Sequence, residues 1–271
     1  MATPETAGLV RAIAATPSVT AVLLDLDGTL APIIEHPEDV RIPAEIRALL
    51  PTLRDRYGLV AFISGRARDD LHGIVALDGV AYSGNHGIEV QLDDGRILPS
   101  SVSDGALQAL KTFARCWSGQ GLDAWGIWLE HKGGTLTFHY RTAPDQRAAR
   151  RHLEQSVVPA ARAAGLVAET GRMSIEIHPS ESVHKGSAAD TLLDARPEIR
   201  QAISFGDDRT DVDVWRALRA RVADGRLELA VSVGVVSDES PATVRADSDI
   251  QVAGVEGTLG LLRVLAGHQG P

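Results

Sequence analysis

The chain predicts an α/β fold: a Rossmann-like, doubly wound parallel sheet with a smaller α/β unit inserted into it. Short, almost wholly apolar runs (21–24, 59–63, 202–205, 229–233 and 250–252) alternate with stretches of helical period. That is the pattern of strands buried on both faces of a parallel sheet and of the helices that cross between them. Several runs end in polar residues, and open α/β sheets bind ligands at the carboxyl ends of their strands. From about Gly87 the pattern changes to alternating hairpin sequences, as an insertion does.

The first strand, Ala21 to Leu24, runs into Asp25-Leu26-Asp27-Gly28-Thr29. A strand followed by a glycine-permitted loop lets Asp25 end the strand while Asp27 turns back over it, so both carboxylates can face one pocket. Pro43 opens a helix with Ile46, Leu49, Leu50 and Leu53 on one face, ending at Gly58; a strand (59–63) and a helix (67–76) follow. The segment 88–98 alternates around Asp94-Gly95, and 129–141 around Gly133-Gly134, both hairpin signals. Helical stretches at 103–117 and 144–164 and strands at 165–168 and 173–178 complete the insertion. The parallel pattern resumes at Lys185 and closes with a helix at 255–265. These boundaries place a core in residues 1–85 and 182–271 and an inserted α/β cap in 86–181.

Composition excludes several classes. A hydrophobic fraction of 44%, a charged fraction of 23% and 271 residues describe an ordinary globular chain, and a net charge of −9 lacks the basic footprint that nucleic acid or an anionic membrane needs. No run approaches the ~20 apolar residues of a membrane span, and Met1 to Ser18 lacks a signal peptide's basic start and apolar centre. A cytoplasmic monomer is expected. The single cysteine, Cys116, forms no intrachain disulfide and reads as a small buried apolar residue. Three of the four tryptophans, Trp117, Trp125 and Trp128, fall in the insertion and read as its core packing rather than as sugar-stacking rings.

Three further blocks join the Asp-Leu-Asp motif: AFISGR (61–66) with Ser64, HKGSA (184–188) with a lysine where a helix opens, and AISFGDDRTD (202–211) with an acidic cluster. Phosphate monoesters are among the slowest substrates to hydrolyse unaided, so several devices must act together. Asp25 at the strand end is the candidate carboxylate nucleophile. Asp27 is the candidate general acid and base. Lys185 supplies a point charge to a phosphoryl group and to Asp25, and Ser64 a hydroxyl and an N–H to the phosphoryl group. Two anions meet only if charge is cancelled, and the acidic run Asp207, Asp208 and Asp211 with Asp25 suits a hard cation, Mg²⁺. Asp208 and Asp211 suit the capping of a helix from about Thr210 as well.

In this order the four blocks resemble the motifs of the haloacid dehalogenase superfamily. That resemblance implies a metal held by Asp25, Asp27 through its main-chain carbonyl, and Asp207, with Asp208 acting directly or through water and Asp211 behind them. The wider set LLDLDGTLAPI, SGR, GNHG, LEHKGGTLTFHYR, EIHP, HKGSA and GDDRTDVDVW is similar to the trehalose-6-phosphate phosphatases over residues 20 to 265. In that family the insertion is a mobile cap that reads the disaccharide. The resemblance implies substrate contacts by Glu130, Lys132, His139, Arg141 and Glu176, with Arg66, Asn85 and His86 near the cap hinge. Two positions depart from the family: His178 stands where arginine is usual, and His184 where an acidic or amide residue is common. The expected activity is Mg²⁺-dependent release of phosphate from trehalose 6-phosphate in trehalose biosynthesis. Phosphatases for sucrose 6-phosphate or for mannosyl- or glucosyl-3-phosphoglycerate, a sugar phosphomutase, and a non-catalytic sensor are the alternatives; a sensor has no need of a nucleophile.

Overall fold

Seven strands and the helices between them account for the first part of the molecule. The structure is a computed structural model and describes residues 4–34, 36–100, 102–131, 134–171, 173–180, 183–238 and 240–268. In chain order the first unit holds α1 (Pro4–Ala15), β1 (Thr20–Leu24), α2 (Ala44–Arg56), β2 (Leu59–Ile63), α3 (Arg68–Val75), β3 (Ala81–Gly84) and β4 (Glu89–Gln91). The second unit holds α4 (Asp104–Trp117), β5 (Trp128–His131), β6 (Leu136–His139), α5 (Gln146–His152), α6 (Val158–Ala163), β7 (Leu166–Gly171) and β8 (Ser174–Pro179). The chain then returns to the first unit with α7 (Lys185–Asp194), β9 (Gln201–Gly206), α8 (Arg209–Ala223), β10 (Leu229–Val236), α9 (Ala242–Asp247), β11 (Ile250–Ala253) and α10 (Gly254–Leu265).

The large sheet runs β11-β10-β9-β1-β2-β3-β4, parallel except for β4. Every residue of β1 and β2 is buried, which is why their sequences are unbroken apolar runs rather than alternations. Alternation survives in which layer each residue enters. Val22, Leu24, Val60, Phe62, Ile203 and Phe205 pack with α1, α2, α3 and α10. Ala21, Leu23, Leu59, Ala61, Ile63 and Ala202 pack with α7, α8 and α9. The sheet order turns at β1: β2 and β3 extend one way, β9 to β11 the other. That topological switch is where open α/β sheets leave a crevice at their carboxyl ends.

The two compact units are Met1–Pro99 with Val183–Pro271, and Ser100–Ser182. The first boundary differs from the expected one, since residues 86–99 belong with the first unit. The hairpin itself is present, with Leu92 N–H donating to Arg96 O and Leu98 N–H to Val90 O. Its β4 strand pairs antiparallel with β3, so it extends the large sheet. Alternation in a sequence reveals a hairpin but not which sheet edge it joins.

The second unit is a four-stranded antiparallel sheet, β5-β6-β8-β7, with helices on one face. Leu136, Phe138, Ile175 and Ile177 pack there against Leu110 and Phe113 of α4 and against Ala149 and Ala161 of α5 and α6. A π-helical turn at 153–157 joins α5 to α6, inside the stretch expected as one helix. Cys116 is exposed, contrary to expectation, because α4 buries the stripe Leu110, Phe113 and Ala114 and residue 116 lies off it. Of the three tryptophans expected in the core, only Trp117 packs against it; Trp125 and Trp128 are 41% and 40% exposed. Among the described residues no helix is long and apolar enough to cross a membrane.

Candidate active site

Asp25 follows the last residue of β1, and its N–H donates to Phe205 O of β9. Lys185, first residue of α7, sends Nζ to Asp25 Oδ1 at 2.7 Å and to Asp211 Oδ1 at 2.8 Å. All three side chains are 6% or less exposed. Asp211 Oδ2 accepts the N–H groups of Asp207 and Asp208, each at 3.1 Å, so both its oxygens are engaged. Asp25, Asp207 and Asp211 each offer an oxygen within 4.8 Å of the others. Two glycines make the approach possible. A β-carbon at Gly28, where φ is +83°, would collide with the Asp207 carboxylate, and one at Gly206 would collide with Asp211.

Electrostatics follow from packing three carboxylates around one ammonium. Burial pushes Asp207 up to about 9, with Asp25 and Asp211 adding to the effect. Burial likewise lifts Asp25 to about 7, against the pull of Lys185. For Lys185 burial works downward, but Asp211 and Asp25 hold it above the usual lysine value. Loss of water is the larger cause and repulsion between the carboxylates adds to it, so these groups hold protons that a bound cation would displace. An all-oxygen, acidic donor set of this kind fits a hard divalent cation.

Asp27 is placed differently from Asp25. Arg66 grips it through both oxygens, Nε to Oδ2 at 2.7 Å and Nη2 to Oδ1 at 2.8 Å, while Nη1 donates to Pro37 O. Arg66 was expected near the cap hinge as a substrate-binding residue; its guanidinium holds the second carboxylate of the Asp-Leu-Asp motif. Ser64 is buried, its N–H donating to Ser83 O and its Oγ accepting the Arg66 N–H. Asn85 and His86 both have left-handed backbones (φ 49° and 56°), a conformation that strains residues other than glycine. Hydrogen bonds from Asn85 N–H to Arg66 O and from His86 N–H to Ser64 O hold the turn against the Ser64–Arg66 loop. Asn85 is fully buried.

Asp208 is half-buried and precedes α8, and it is not in the carboxylate group that gathers among the described residues; Asp211, expected behind the metal, is. His184 caps α7: its Nδ1 accepts the Ser187 N–H at 3.2 Å while Ser187 Oγ accepts the His184 N–H at 3.0 Å. An acidic or amide residue would cap that helix in the same way, so this departure from the family keeps the local role.

The remaining expected contacts lie in the second unit. Register puts Glu130, Thr137, Glu176 and Glu169 in one row across β5, β6, β8 and β7, on the face turned from the helices. His139 Nε2 meets Glu130 Oε2 at 2.8 Å, and Trp128, opposite His139, stacks on its ring. His178 shares this face; its Nδ1 donates to Pro179 O and its Nε2 lies 3.9 Å from Glu169. Arg141 is exposed in the turn after β6, and Lys132 lies outside the described residues. Thr137 and Glu169 were not singled out in the sequence, and Trp128 was read there as core packing rather than as part of this face. Counting outward from Glu130 and His139 in steps of two along each strand would have found Trp128 and Thr137.

A doubly wound sheet with an acidic–lysine cluster at its carboxyl switch point and an α/β unit inserted between its second and third motifs defines a member of the haloacid dehalogenase superfamily. The family model described as trehalose-phosphatase matches residues 23–250. The chain belongs to that family. A probable trehalose-phosphate phosphatase of Sinorhizobium fredii is 28% identical over 251 residues, covering 90% of this chain and 89% of that one. The trehalose-phosphate phosphatase of Mycobacterium ulcerans is 33% identical over 202 residues, and an uncharacterized glycosyl hydrolase of Mycobacterium tuberculosis 33% over 205; each match covers 73% of this chain. The matches span 51% and 15% of those two longer proteins. Among solved structures, the C-terminal domain of Candida albicans trehalose-6-phosphate phosphatase superposes with a TM-score of 0.75 at 21% identity, covering 97% of each chain. The C-terminal domain of the Candida albicans trehalose synthase regulatory protein superposes with a TM-score of 0.67 at 15% identity, covering 90% of this chain and 92% of that one. The fold is thus common to a phosphatase and a regulatory protein, and function must be argued from the site.

Proposed function

We propose that this chain hydrolyses trehalose 6-phosphate to trehalose and inorganic phosphate, with Mg²⁺ as its cation. The observation that carries the reading is the buried Asp25–Lys185–Asp211 cluster with Asp207 beside it, because a chain that only sensed the sugar would not need to maintain so costly an arrangement. Asp25 is the nucleophile: its oxygen forms a bond to phosphorus as the bond from phosphorus to the sugar oxygen breaks, leaving an aspartyl-phosphate. Lys185 and the Ser64 hydroxyl neutralise and orient the phosphoryl oxygens. Asp27 gives its proton to the departing sugar oxygen, then takes one from the water that attacks phosphorus and frees Asp25. Both Asp27 oxygens are held by Arg66, so proton delivery requires that fork to open, and Arg66 is a positioning residue for Asp27.

Asp25 and Asp207, with the Asp27 carbonyl, would hold Mg²⁺, and Asp211 braces Lys185 and the 207–208 amides. When bound, the cation cancels charge between nucleophile and phosphate. The polar row with Glu130 and Glu176, and His139 beside it on the same face, accounts for the sugar, since a site that hydrogen-bonds many hydroxyls rejects analogues lacking them. A phosphate-release screen over a panel of sugar phosphates, with and without chelator, tests the reading. Trehalose 6-phosphate should be the preferred substrate and the chelator should abolish release; preference for sucrose 6-phosphate or a glycosyl phosphoglycerate would replace the substrate, and full activity in chelator would remove the metal assignment.

A further inference from the structure

We infer that Trp128 is a sugar-stacking residue, its indole taking the C–H face of a pyranose ring, and that His139 is the positioning residue that holds both this indole and the Glu130 carboxylate. The inference rests on the sugar-phosphate reading above and adds to it a residue that lies outside the sequence motifs.

Four observations converge on β5 and β6. Trp128 is 40% exposed although indole is among the largest apolar side chains. Strand parity, not packing failure, puts it outside: Leu129 and Phe138 face the helices, and Trp128 and His139 pair across the strands on the other face. The imidazole lies parallel to the indole, with ring centroids 3.9 Å apart and planes 13° apart. That contact shuts water from one indole face, so the accessible area belongs to the other face and the edge. The same imidazole reaches Glu130 Oε2 at 2.8 Å through Nε2.

A pyranose has two kinds of surface: a rim of hydroxyls, which donate well to a carboxylate, and patches of axial C–H groups, which are apolar. A carboxylate and an exposed aromatic face, both fixed by one imidazole, match those two surfaces. Fixing them beforehand removes ordering that binding would otherwise have to overcome. A loose indole at the end of an edge strand would offer neither a fixed plane nor a fixed distance to Glu130.

The competing explanation is a cross-strand aromatic pair that only stabilises the β5–β6 edge. Two measurements separate them, made on the full-length protein and its Trp128→Ala and Trp128→Phe variants. In the first, kcat/KM is measured for trehalose 6-phosphate and for an aryl phosphate. Trp128→Ala should lose about 10-fold on the sugar phosphate, mainly in KM, Trp128→Phe under about 3-fold, and neither should change on the aryl phosphate. In the second, saturation transfer from protein to the C–H protons of trehalose is recorded by NMR; it should be strong for the wild type, weaker for Trp128→Phe and lost for Trp128→Ala. Equal losses on both phosphates, or undiminished transfer in Trp128→Ala, overturns the inference and leaves an edge-stabilising pair. If wild-type protein fails to hydrolyse trehalose 6-phosphate yet shows Trp128-dependent transfer, the activity reading falls and this one stands.

Discussion

The Lys185–Asp25 pair in the first unit and the His139–Glu130 pair in the second have nearly the same separation, 2.7 and 2.8 Å, but not the same surroundings. Lys185 and Asp25 are 4% and 6% exposed; His139 and Glu130 are 19% and 29% exposed. Distance therefore does not rank them. In the buried cluster each charge has lost its water, so removing one partner leaves an uncompensated ion and the carboxylate affinities for protons rise. In the half-exposed pair solvent screens the attraction, and its use is geometric: one imidazole orients a carboxylate and an indole. Under the proposed function, the first region brings charge onto the reacting phosphoryl group and the second presents a surface to the sugar.

The largest effect that would break this contrast is at the nucleophile. Asp25→Asn should lower turnover by about 10⁴-fold or more on every phosphate ester, sugar or aryl, measured as phosphate release by folded protein. Activity within about 10-fold of wild type would mean the buried cluster is not where phosphorus is attacked.

Next in size is the cation of the cluster. Lys185→Met removes the ammonium hydrogen-bonded to both Asp25 and Asp211. Urea unfolding should show a loss of about 3 kcal/mol, the range expected when a buried ion loses its partner. A loss under about 0.5 kcal/mol would place the pair in the surface class instead.

A third test uses pH. Asp207 titrates at about 9 and Asp25 at about 7 in the folded chain, against 3.8 for an ordinary, solvated aspartate. Between those values the unfolded chain has released protons that the folded one keeps, so metal-free stability falls as pH rises from 3.8 toward about 9. Calorimetry should therefore give the metal-free protein a lower Tm at about pH 9 than at about pH 6, and added Mg²⁺ should raise Tm more at the higher pH. A Mg²⁺ gain that is larger at the lower pH would contradict competition between protons and the cation for these carboxylates.

Which of these features could be read in the chain depends on how local each is. Asp25, Ser64, Lys185 and Asp207 stand at the ends of apolar runs or at a helix start, and their neighbours in sequence mark them. The Arg66–Asp27 fork joins residues 39 apart, and the Lys185–Asp25 bond residues 160 apart. The second partnership was expected from the motifs, in which Lys185 brings its charge to Asp25, whereas no local pattern marks Arg66 as the partner of Asp27. The Arg66 grip on Asp27 was therefore not expected, and the place of Asp211 behind the metal was expected without its bond to Lys185. Trp128 was misread for a related reason: a small domain needs aromatic core, but strand parity had already given the interior to Leu129 and Phe138. His184 shows the opposite case. A residue that breaks the family pattern keeps the local task, because imidazole Nδ1 can accept the N–H that a carboxylate or amide would.

The smallest expected effect concerns that cap. His184→Ala should destabilise by about 1 kcal/mol while His184→Asn stays near wild type, read by chemical unfolding. Equal losses from both variants would point to a role for the ring beyond the helix terminus.

The division of labour is tested most directly by Glu176→Gln and Asp25→Asn assayed side by side on trehalose 6-phosphate and on an aryl phosphate. Asp25→Asn should abolish both reactions, whereas Glu176→Gln should lower kcat/KM about 10-fold on the disaccharide and leave the aryl substrate unchanged, because only the disaccharide draws binding energy from the polar row. Equal losses for Glu176→Gln on both substrates would contradict the account, since the four-stranded sheet would then serve the reaction or the folding of the chain rather than the reading of the sugar.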